Sequence, residues 1–490
     1  MQLAIHLDST STVPLHRQLY EQLRQRILSG QLLPGQRLPS TRILAELLAI
    51  SRTTASLGYE HLLSEGYLQA HRGSGTCVCT QLPEQLLQAA SPIVSVPSIG
   101  GSPRLSRYGA GLSEARMLLG KVSPPPSINF RYGPPAFDAL PLQQWRRLLT
   151  RHCRCSPGVL DYATDPLGYH PLRESIARYL TRSRAVRCTA DQMLIVSGSQ
   201  QALDLTTRLL VDPSDVVALE DPGYLGARHA FLAQGAILLG LPVDSEGMVM
   251  EQLTGQPPGT VKLVYVTPSH QFPTGSVLSL PRRLELLAWA KASNALVVED
   301  DYDSEYRYGG RPIPALQGLD RGDSVIYVGT FSKVLFPSLR LGYLVVPLEL
   351  MPVFARARWL TDRHSPLLEQ YVLRDFIEEG FLERHIRRMR RLYAERRQVL
   401  VETLHAHLGN RASVLGEEAG MHVLVRFQTH LSDEALVARA AEAGVGLTSA
   451  AANYLHSDVQ GEFILGYADL TPERLVEGVV RIARILDAKE

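Results

Sequence analysis

Cysteine is scarce in this chain, with five among 490 residues. They stand at positions 77, 79, 153, 155 and 188, an odd number whose Cys-x-Cys pairs match neither zinc-finger nor redox spacing. They read as reduced structural thiols, which excludes a disulfide-stapled fold and points to the cytoplasm. An excess of one charge is also lacking. Lys and Arg total 50 against 49 Asp and Glu, a net charge of +1. That excludes a surface coating nucleic acid or an anionic membrane along its whole extent, and leaves a local basic patch open. No apolar run approaches the roughly 18 residues of a membrane helix. Residues 1–8 lack the basic and apolar regions of a signal peptide, and there is no internal repeat. What is present is an ordinary globular balance, 45% hydrophobic and 20% charged, over a length that calls for more than one core.

One composition break divides the chain. After Val78 the sequence turns to Gln81-Leu82-Pro83 and then runs Ser/Pro/Gly-rich to Ser123-Pro124-Pro125-Pro126-Ser127. Residues 81–127 read as a linker with helical character around 84–90. As coil, these roughly 47 residues span on the order of 35–40 Å, enough to reach a partner subunit. Before the linker, Leu15, Leu19, Leu23 and Ile27 recur every four residues and stop at Gly30, as in one amphipathic helix. A Pro34-Gly35 turn leads to Ser40, placed to cap a second helix through about Leu48. Ser51 caps a third, with Ala55, Tyr59, Leu62 and Leu63 on its core face. Short strands at 67–70 and 76–79 flank His71-Arg72-Gly73-Ser74-Gly75. Three helices and a hairpin are the order of a winged helix-turn-helix over residues 1–80.

Beyond the linker, over 128–490, strand and helix signals alternate. Apolar strands read 193–197, 216–220, 261–267, 295–299, 325–329 and 341–346, and helix-length segments such as 201–210 and 281–292 separate several of them. This predicts an α/β fold, a mostly parallel sheet covered by helices on both faces. From about residue 351, long helices within 373–406 give way to mixed structure, a smaller α/β lobe.

A helix in the major groove needs a first turn polar and small enough to reach base edges and phosphates. Ser51-Arg52-Thr53-Thr54 supplies hydroxyls, backbone N–H groups and a guanidinium there. Arg37 and Arg42 bracket the start of the preceding helix, and Arg72 sits at the wing tip. Residues 1–80 hold seven Arg and no Lys against five acids, a net +2. On pattern alone these arginines fit either DNA contact or the solvated face of a protein-binding domain. The motifs favour DNA. Residues 12–79 resemble the winged helix of GntR-type bacterial regulators through Pro34-Gly35-x-x-Leu38-Pro39-Ser40-x-Arg42, Ser51-Arg52-x-Thr54 and Glu65-Gly66-x8-Gly75-Thr76. The resemblance implies a double-stranded operator contacted by Arg37, Ser40, Arg42, Ser51, Arg52, Thr53, Thr54, Arg72 and Gly75.

Three clusters carry the chemistry of the large region. In Tyr327-Val328-Gly329-Thr330-Phe331-Ser332-Lys333 a lysine follows a buried strand, where an amine is expensive unless it has a task. Schiff-base formation is such a task, and Arg340 with the Thr330 and Ser332 hydroxyls fits a phosphate; a surface lysine in a loop is the plainer alternative. Ala295-Leu296-Val297-Val298-Glu299 runs into Asp300-Asp301-Tyr302. Carboxylates at the end of a buried strand need a cation or donor, and a protonated pyridine nitrogen is one. A metal site or helix cap fits less well, because no His/Asp ligand spacing accompanies the cluster. Ser197-Gly198-Ser199-Gln200-Gln201 reads as a small-residue turn that opens a helix, either a phosphate cradle or an ordinary strand-to-helix turn. Tyr224 offers an aromatic face to a ring, or to the core.

Residues 128–485 resemble the fold-type I pyridoxal-phosphate (PLP) enzymes of the aminotransferase family. The motif order is Tyr162…Gly168, 197–201, 221–224, Thr267-Pro268-Ser269-His270-Gln271-Phe272-Pro273-Thr274-Gly275, Asp300-x-Tyr302 and Lys333…Arg340. Joined to the GntR-like module, the whole chain resembles the MocR/GabR group of regulators. The resemblance implies that Lys333 forms the Schiff base with pyridoxal 5'-phosphate, Asp300 pairs with the pyridine nitrogen and Tyr302 with the ring hydroxyl. It places Gly198, Ser199, Gln200, Thr330, Ser332 and Arg340 on the phosphate, Tyr224 on the ring and His270 along the cofactor. It also implies that Tyr162 reaches the neighbouring subunit's phosphate in a homodimer. It implies neither a metal nor a membrane.

The pattern breaks near the C-terminus. Aminotransferases, and regulators that sense amino acids, keep a carboxylate-binding arginine before a Leu-Gly-Phe-Ala-like strand, and here Ile464 stands at that place in Glu462-Phe463-Ile464-Leu465-Gly466-Tyr467-Ala468. No Arg or Lys occurs between Arg439 and Arg474. The small-molecule effector is then PLP itself, or an amino acid held by another arginine, of which Arg228 is nearest by motif. Two functions remain in view: a PLP-dependent transcriptional regulator, or a working PLP-dependent aminotransferase that carries an accessory DNA-binding module. The missing arginine weighs against the second, and so does His270-Gln271-Phe272-Pro273, which stands where true aminotransferases usually have Asn-Pro.

Overall fold

A computed structural model describes residues 5–71, 75–83, 104–114, 126–155, 161–162, 165–309, 313–456 and 459–488. Arg72 at the wing tip and the stretch 84–90 expected to be helical lie outside the described residues. The chain folds as two compact units, Met1–Arg104 and Leu105–Glu490.

The first unit holds helices α1 (Leu15–Leu28), α2 (Thr41–Leu48) and α3 (Arg52–Ser64) and a hairpin of β1 (Leu68–His71) and β2 (Gly75–Val78). Spacing of the apolar side chains dictates the packing. Leu19, Leu23 and Ile27 of α1 meet Leu44, Ala45, Ala55, Tyr59 and Leu62 in one core, where each large side chain contributes about 1.5–3 kcal/mol by leaving water. Serines fix both helix starts. The Ser40 hydroxyl accepts the Ile43 N–H at 3.4 Å, and that of Ser51 the Thr54 N–H at 3.0 Å.

The second unit is built on an eight-stranded sheet. Its order is Met193–Val196, Gly342–Val345, Val325–Thr330, Leu296–Asp301, Val261–Val266, Val216–Asp221, Ile237–Asp244, Gly247–Met248. The strands from Val325–Thr330 through Ile237–Asp244 pair in parallel, whereas Gly342–Val345 is antiparallel to both of its neighbours. The strand Ile237–Asp244 was not expected. It contains Gly240 and Pro242 and lies next to the sheet edge, the place where a strand tolerates both.

A four-stranded antiparallel sheet forms the smaller lobe, in the order Ala412–Leu415, His422–Phe427, Glu462–Gly466, Thr448–Ser449. Its core also takes Ile128 and Phe130, and Ile128–Asn129 pairs in parallel with Val445–Gly446. The lobe is therefore closed by both ends of the unit. Within the expected linker, Arg107–Glu114 is helical and packs on the helix Leu225–Gln234, so that a Cβ at Gly111 would lie 3.6 Å from the Ala233 carbonyl oxygen.

Candidate functional site

The carboxyl ends of the parallel strands open into a cleft of about 200 Å³, the usual ligand position in an α/β sheet. Lys333 follows the strand Val325–Thr330 and lines this cleft. Its amine donates to the Gly133 carbonyl at 3.3 Å and lies 4.3 Å from the centre of the Tyr132 ring. Lys333 is largely buried where it opens into the cleft, and that burial lowers its amine to about 8, against the pull of Asp303 and Asp300. Gly133 has φ +112°, and a Cβ there would come within 2.8 Å of the amine. Only glycine fits.

The strand Leu296–Asp301 sorts its three carboxylates by the pleat. Glu299 accepts the Leu316 and Gln317 N–H groups, each at 2.8 Å. Asp301 takes Arg184 Nε at 2.8 Å and the Tyr327 hydroxyl at 2.6 Å. Asp300 lines the cleft, where its Oδ2 accepts the Tyr265 hydroxyl at 2.8 Å and its Oδ1 is buried without a partner. Burial pushes its carboxyl up to about 7, opposed by the Tyr265 bond. A buried acceptor left open costs free energy until a donor arrives.

Across the cleft, the helix Ser199–Leu210 begins at Gly198, φ +90°. A Cβ on Gly198 would sit 3.1 Å from both terminal nitrogens of Arg340. Arg340 donates to the Ser197 carbonyl and lines the cleft with Ser199, Gln200, Thr330 and Ser332. Free helical N–H groups, hydroxyls and a guanidinium make an anion site. Tyr224 and Phe272 stand between the two ends, edge to face at 5.8 Å.

Behind the cleft lies a second layer. The Tyr302 hydroxyl is 3.0 Å from His270 Nδ1, which also lies 3.1 and 3.2 Å from the two Asp303 oxygens. His270 Nδ1 is shared between the Asp303 carboxylate and the Tyr302 hydroxyl, and its single proton site ties the three groups into one network. His270 thus backs Tyr302 and is not among the lining residues. His270, Asp303 and His422 bring ligand-type atoms within 4.8 Å of one another, a grouping that positions 270, 303 and 422 conceal in the sequence.

Other expected residues lie elsewhere. Tyr162 is 71% exposed, with the Arg363 guanidinium 5.1 Å from its ring centre. Arg228 donates to the carbonyls of Ala452 and Tyr454 at 3.3 and 3.0 Å and does not line the cleft. Tyr132, Gly133, Tyr265 and Asp303 were not singled out from sequence. Arg131-Tyr132-Gly133-Pro134-Pro135 carried a turn signal that could have found the first two, whereas Tyr265 reads as an ordinary core residue of its strand.

In the first unit Arg37, Ser40, Arg42, Ser51, Arg52 and Thr53 are all exposed. Arg37 lies against Gly75, where a Cβ would be 3.0 Å from its Nε. Arg42 pairs with Glu46 at 3.8 Å, and the Ser51 and Thr54 hydroxyls are 2.8 Å apart.

The gntR family of bacterial regulatory proteins matches residues 15–78, and aminotransferase class I and II matches residues 127–482. One relative carries the likeness through both units: the probable rhizopine catabolism regulatory protein MocR of Rhizobium meliloti, 43% identical over 96% of this chain and 94% of its own. The chain belongs to the MocR-type transcriptional regulators. The pyridoxine biosynthesis regulator PdxR of Corynebacterium glutamicum is 32% identical over 82% of this MocR-type chain and 81% of its own. The solved α-aminoadipate aminotransferase LysN of Thermus thermophilus superposes with a TM-score of 0.68 at 32% identity, covering 74% of this chain and 92% of that one. The aminotransferase class I and II fold family binds PLP. The cleft fits that cofactor on its own chemistry: an orphaned carboxylate oxygen for a pyridine N–H, an amine of lowered pKa for an aldehyde, and an anion cradle for a phosphate.

Proposed function

We propose that this MocR-type regulator holds pyridoxal 5'-phosphate in the cleft around Lys333, and that occupancy of the cleft shifts a homodimer's affinity for its operator. The buried, unpartnered Oδ1 of Asp300 carries the reading, since it needs the donor that a pyridinium nitrogen supplies. Bound PLP supplies an electrophilic carbon and an electron sink to which primary amines add. This chain's residues do the rest. Lys333 offers a neutral amine near pH 8. Asp300 keeps the ring nitrogen protonated, and Tyr302, backed by His270, donates to the ring oxygen. Ser199, Gln200, Thr330, Ser332 and Arg340 neutralise the phosphate beside Gly198, and Tyr224 lies against the ring.

Residues 1–80 act as the DNA reader, 81–127 as linker, and 128–490 as the effector and dimerisation domain with its small lobe from about 351. Arg52 and Thr53 contact the operator from the first turn of α3, with Arg37, Ser40, Arg42, Arg72 and Gly75 alongside. Ser51 and Thr54 join them mainly by fixing that turn. Dimerisation draws support from an exposed patch: Tyr162, Trp359 at 52% and Leu360 at 77% exposure, gathered around Arg363. The regulator works in the cytoplasm; among the described residues no helix is long and apolar enough to cross a membrane.

The test is a footprint of purified protein, with and without PLP, beside an assay of amino-group transfer. A sequence-specific footprint that changes with PLP is expected. Interconversion of amino donor and keto acid over many turnovers without any footprint would establish the aminotransferase instead.

A further inference from the structure

We infer that the effector is a primary amine on an uncharged carbon frame, with no carboxylate beside its nitrogen. This rests on the cofactor reading above and names the ligand class of the same cleft.

The small lobe backs one wall of the cleft. In its sheet Leu424 pairs with Ile464 and Arg426 with Glu462. Alternation sends Val423, Val425, Phe463 and Leu465 into the lobe core. It sends Leu424 and Ile464 the other way, into a cluster with Phe272, Tyr302 and Ala450 against which Tyr132 and Tyr224 pack. The four aromatic members of that cluster line the cleft. Leu424 and Ile464 therefore support an aromatic wall of the cleft and put no guanidinium behind it.

Arg426 and Arg228 are already matched. Arg426, on the same sheet face, is bound through Nε to Glu462 at 3.0 Å, and the other Glu462 oxygen accepts the Tyr454 hydroxyl at 2.6 Å. Arg228 serves the Ala452 and Tyr454 carbonyls. Among the described lining residues the cations are Lys333 and Arg340, the first assigned to the aldehyde and the second to the phosphate. Asp300, Asp303 and Glu220 are buried close by and offer a carboxylate no cation. A carboxylate placed against this aromatic wall would lose its hydration with no partner in return. An amine on an uncharged frame avoids that loss and buries its carbon against aromatic faces.

The experiment titrates full-length holoprotein with matched pairs, 2-phenylethylamine against L-phenylalanine and 3-methylbutylamine against L-leucine, following the cofactor's visible band. Concentrations are expressed as free-base amine. Each amine is expected to reach half-saturation at a free-base concentration at least about tenfold below that of its amino acid, a difference of about 1.4 kcal/mol. In Glu462→Gln, which releases Arg426, the gap should narrow through tighter amino-acid binding; if that variant misfolds, the wild-type titration decides alone. Amino acids that saturate at equal or lower concentration, or a band that no amine perturbs, would overturn the inference while leaving the cofactor reading intact. A holoprotein with no lysine-dependent band would remove both.

Discussion

The two units hold their functional groups in opposite ways. In the first, Arg37, Arg42, Arg52 and Thr53 stand in water on a core of leucines, beside a helix cap, an i,i+4 ion pair and the hairpin glycine Gly75. In the second, Asp300, Tyr302 and Thr330 are buried, and Asp300 and Tyr302 are held by partners from other elements. The difference follows from the partner. A DNA surface is large, charged and hydrated, so its reader keeps cations solvated and orders them on contact. A small cofactor must be gripped from several sides at once, so its site is preorganised, and it carries desolvated groups that are unsatisfied until the ligand arrives.

That contrast can be broken in the cleft first. Lys333→Ala should remove the cofactor's visible band entirely while leaving basal operator binding unchanged. The chain has only five lysines, so a surviving band traced by reductive trapping and peptide mapping would quickly reveal a different anchor. The pH dependence of cofactor capture comes next. The amine must be neutral to attack, and Lys333 is lowered to about 8. The capture rate, followed by stopped-flow absorbance, should therefore rise about tenfold per pH unit below 8 and level off above it. A rate still climbing toward the ordinary lysine value would show an exposed amine.

Asp300→Asn separates the two kinds of site. Loss of its charged hydrogen bond should weaken PLP binding by about 1.5–3 kcal/mol in an equilibrium titration. The same change should stabilise the protein without cofactor. Asp300 is raised from 3.8 to about 7, so the folded state binds the extra proton between those values. Its contribution to stability is present below pH 4 and is lost as pH rises through 7. Thermal melts of cofactor-free protein should show this decline in the wild type, and Asp300→Asn should flatten it. The smallest effect belongs to the reader. Arg52→Ala should cost about 1–3 kcal/mol in operator affinity and leave the melting temperature unmoved, because its side chain is exposed. An unchanged footprint would return Arg52 to the solvated surface.

Legibility in the sequence followed the same divide. Caps at Ser40 and Ser51 and the four-residue spacing from Leu15 to Ile27 act within a few residues of themselves, so the winged helix could be read directly. Strand ends announced Lys333 and Asp300, because a charge at the end of an apolar run needs a reason. Two of their partners could not be read that way. Tyr265 and Asp303 acquire their roles only through groups 35 and 33 positions away, at Asp300 and His270. Arg228 shows the converse: a well-placed arginine beside the right motif that turns out to serve backbone carbonyls. Ile464 was legible as a gap, and the structure gave that gap a surface.

In the proposed regulator, one chain couples cofactor occupancy to operator affinity. Footprinting the purified protein on the DNA upstream of its own coding sequence, with and without PLP, tests that most directly. The expected result is a sequence-specific footprint whose half-saturating protein concentration moves when PLP is added. A footprint indifferent to PLP in protein that carries the cofactor's visible band would contradict it.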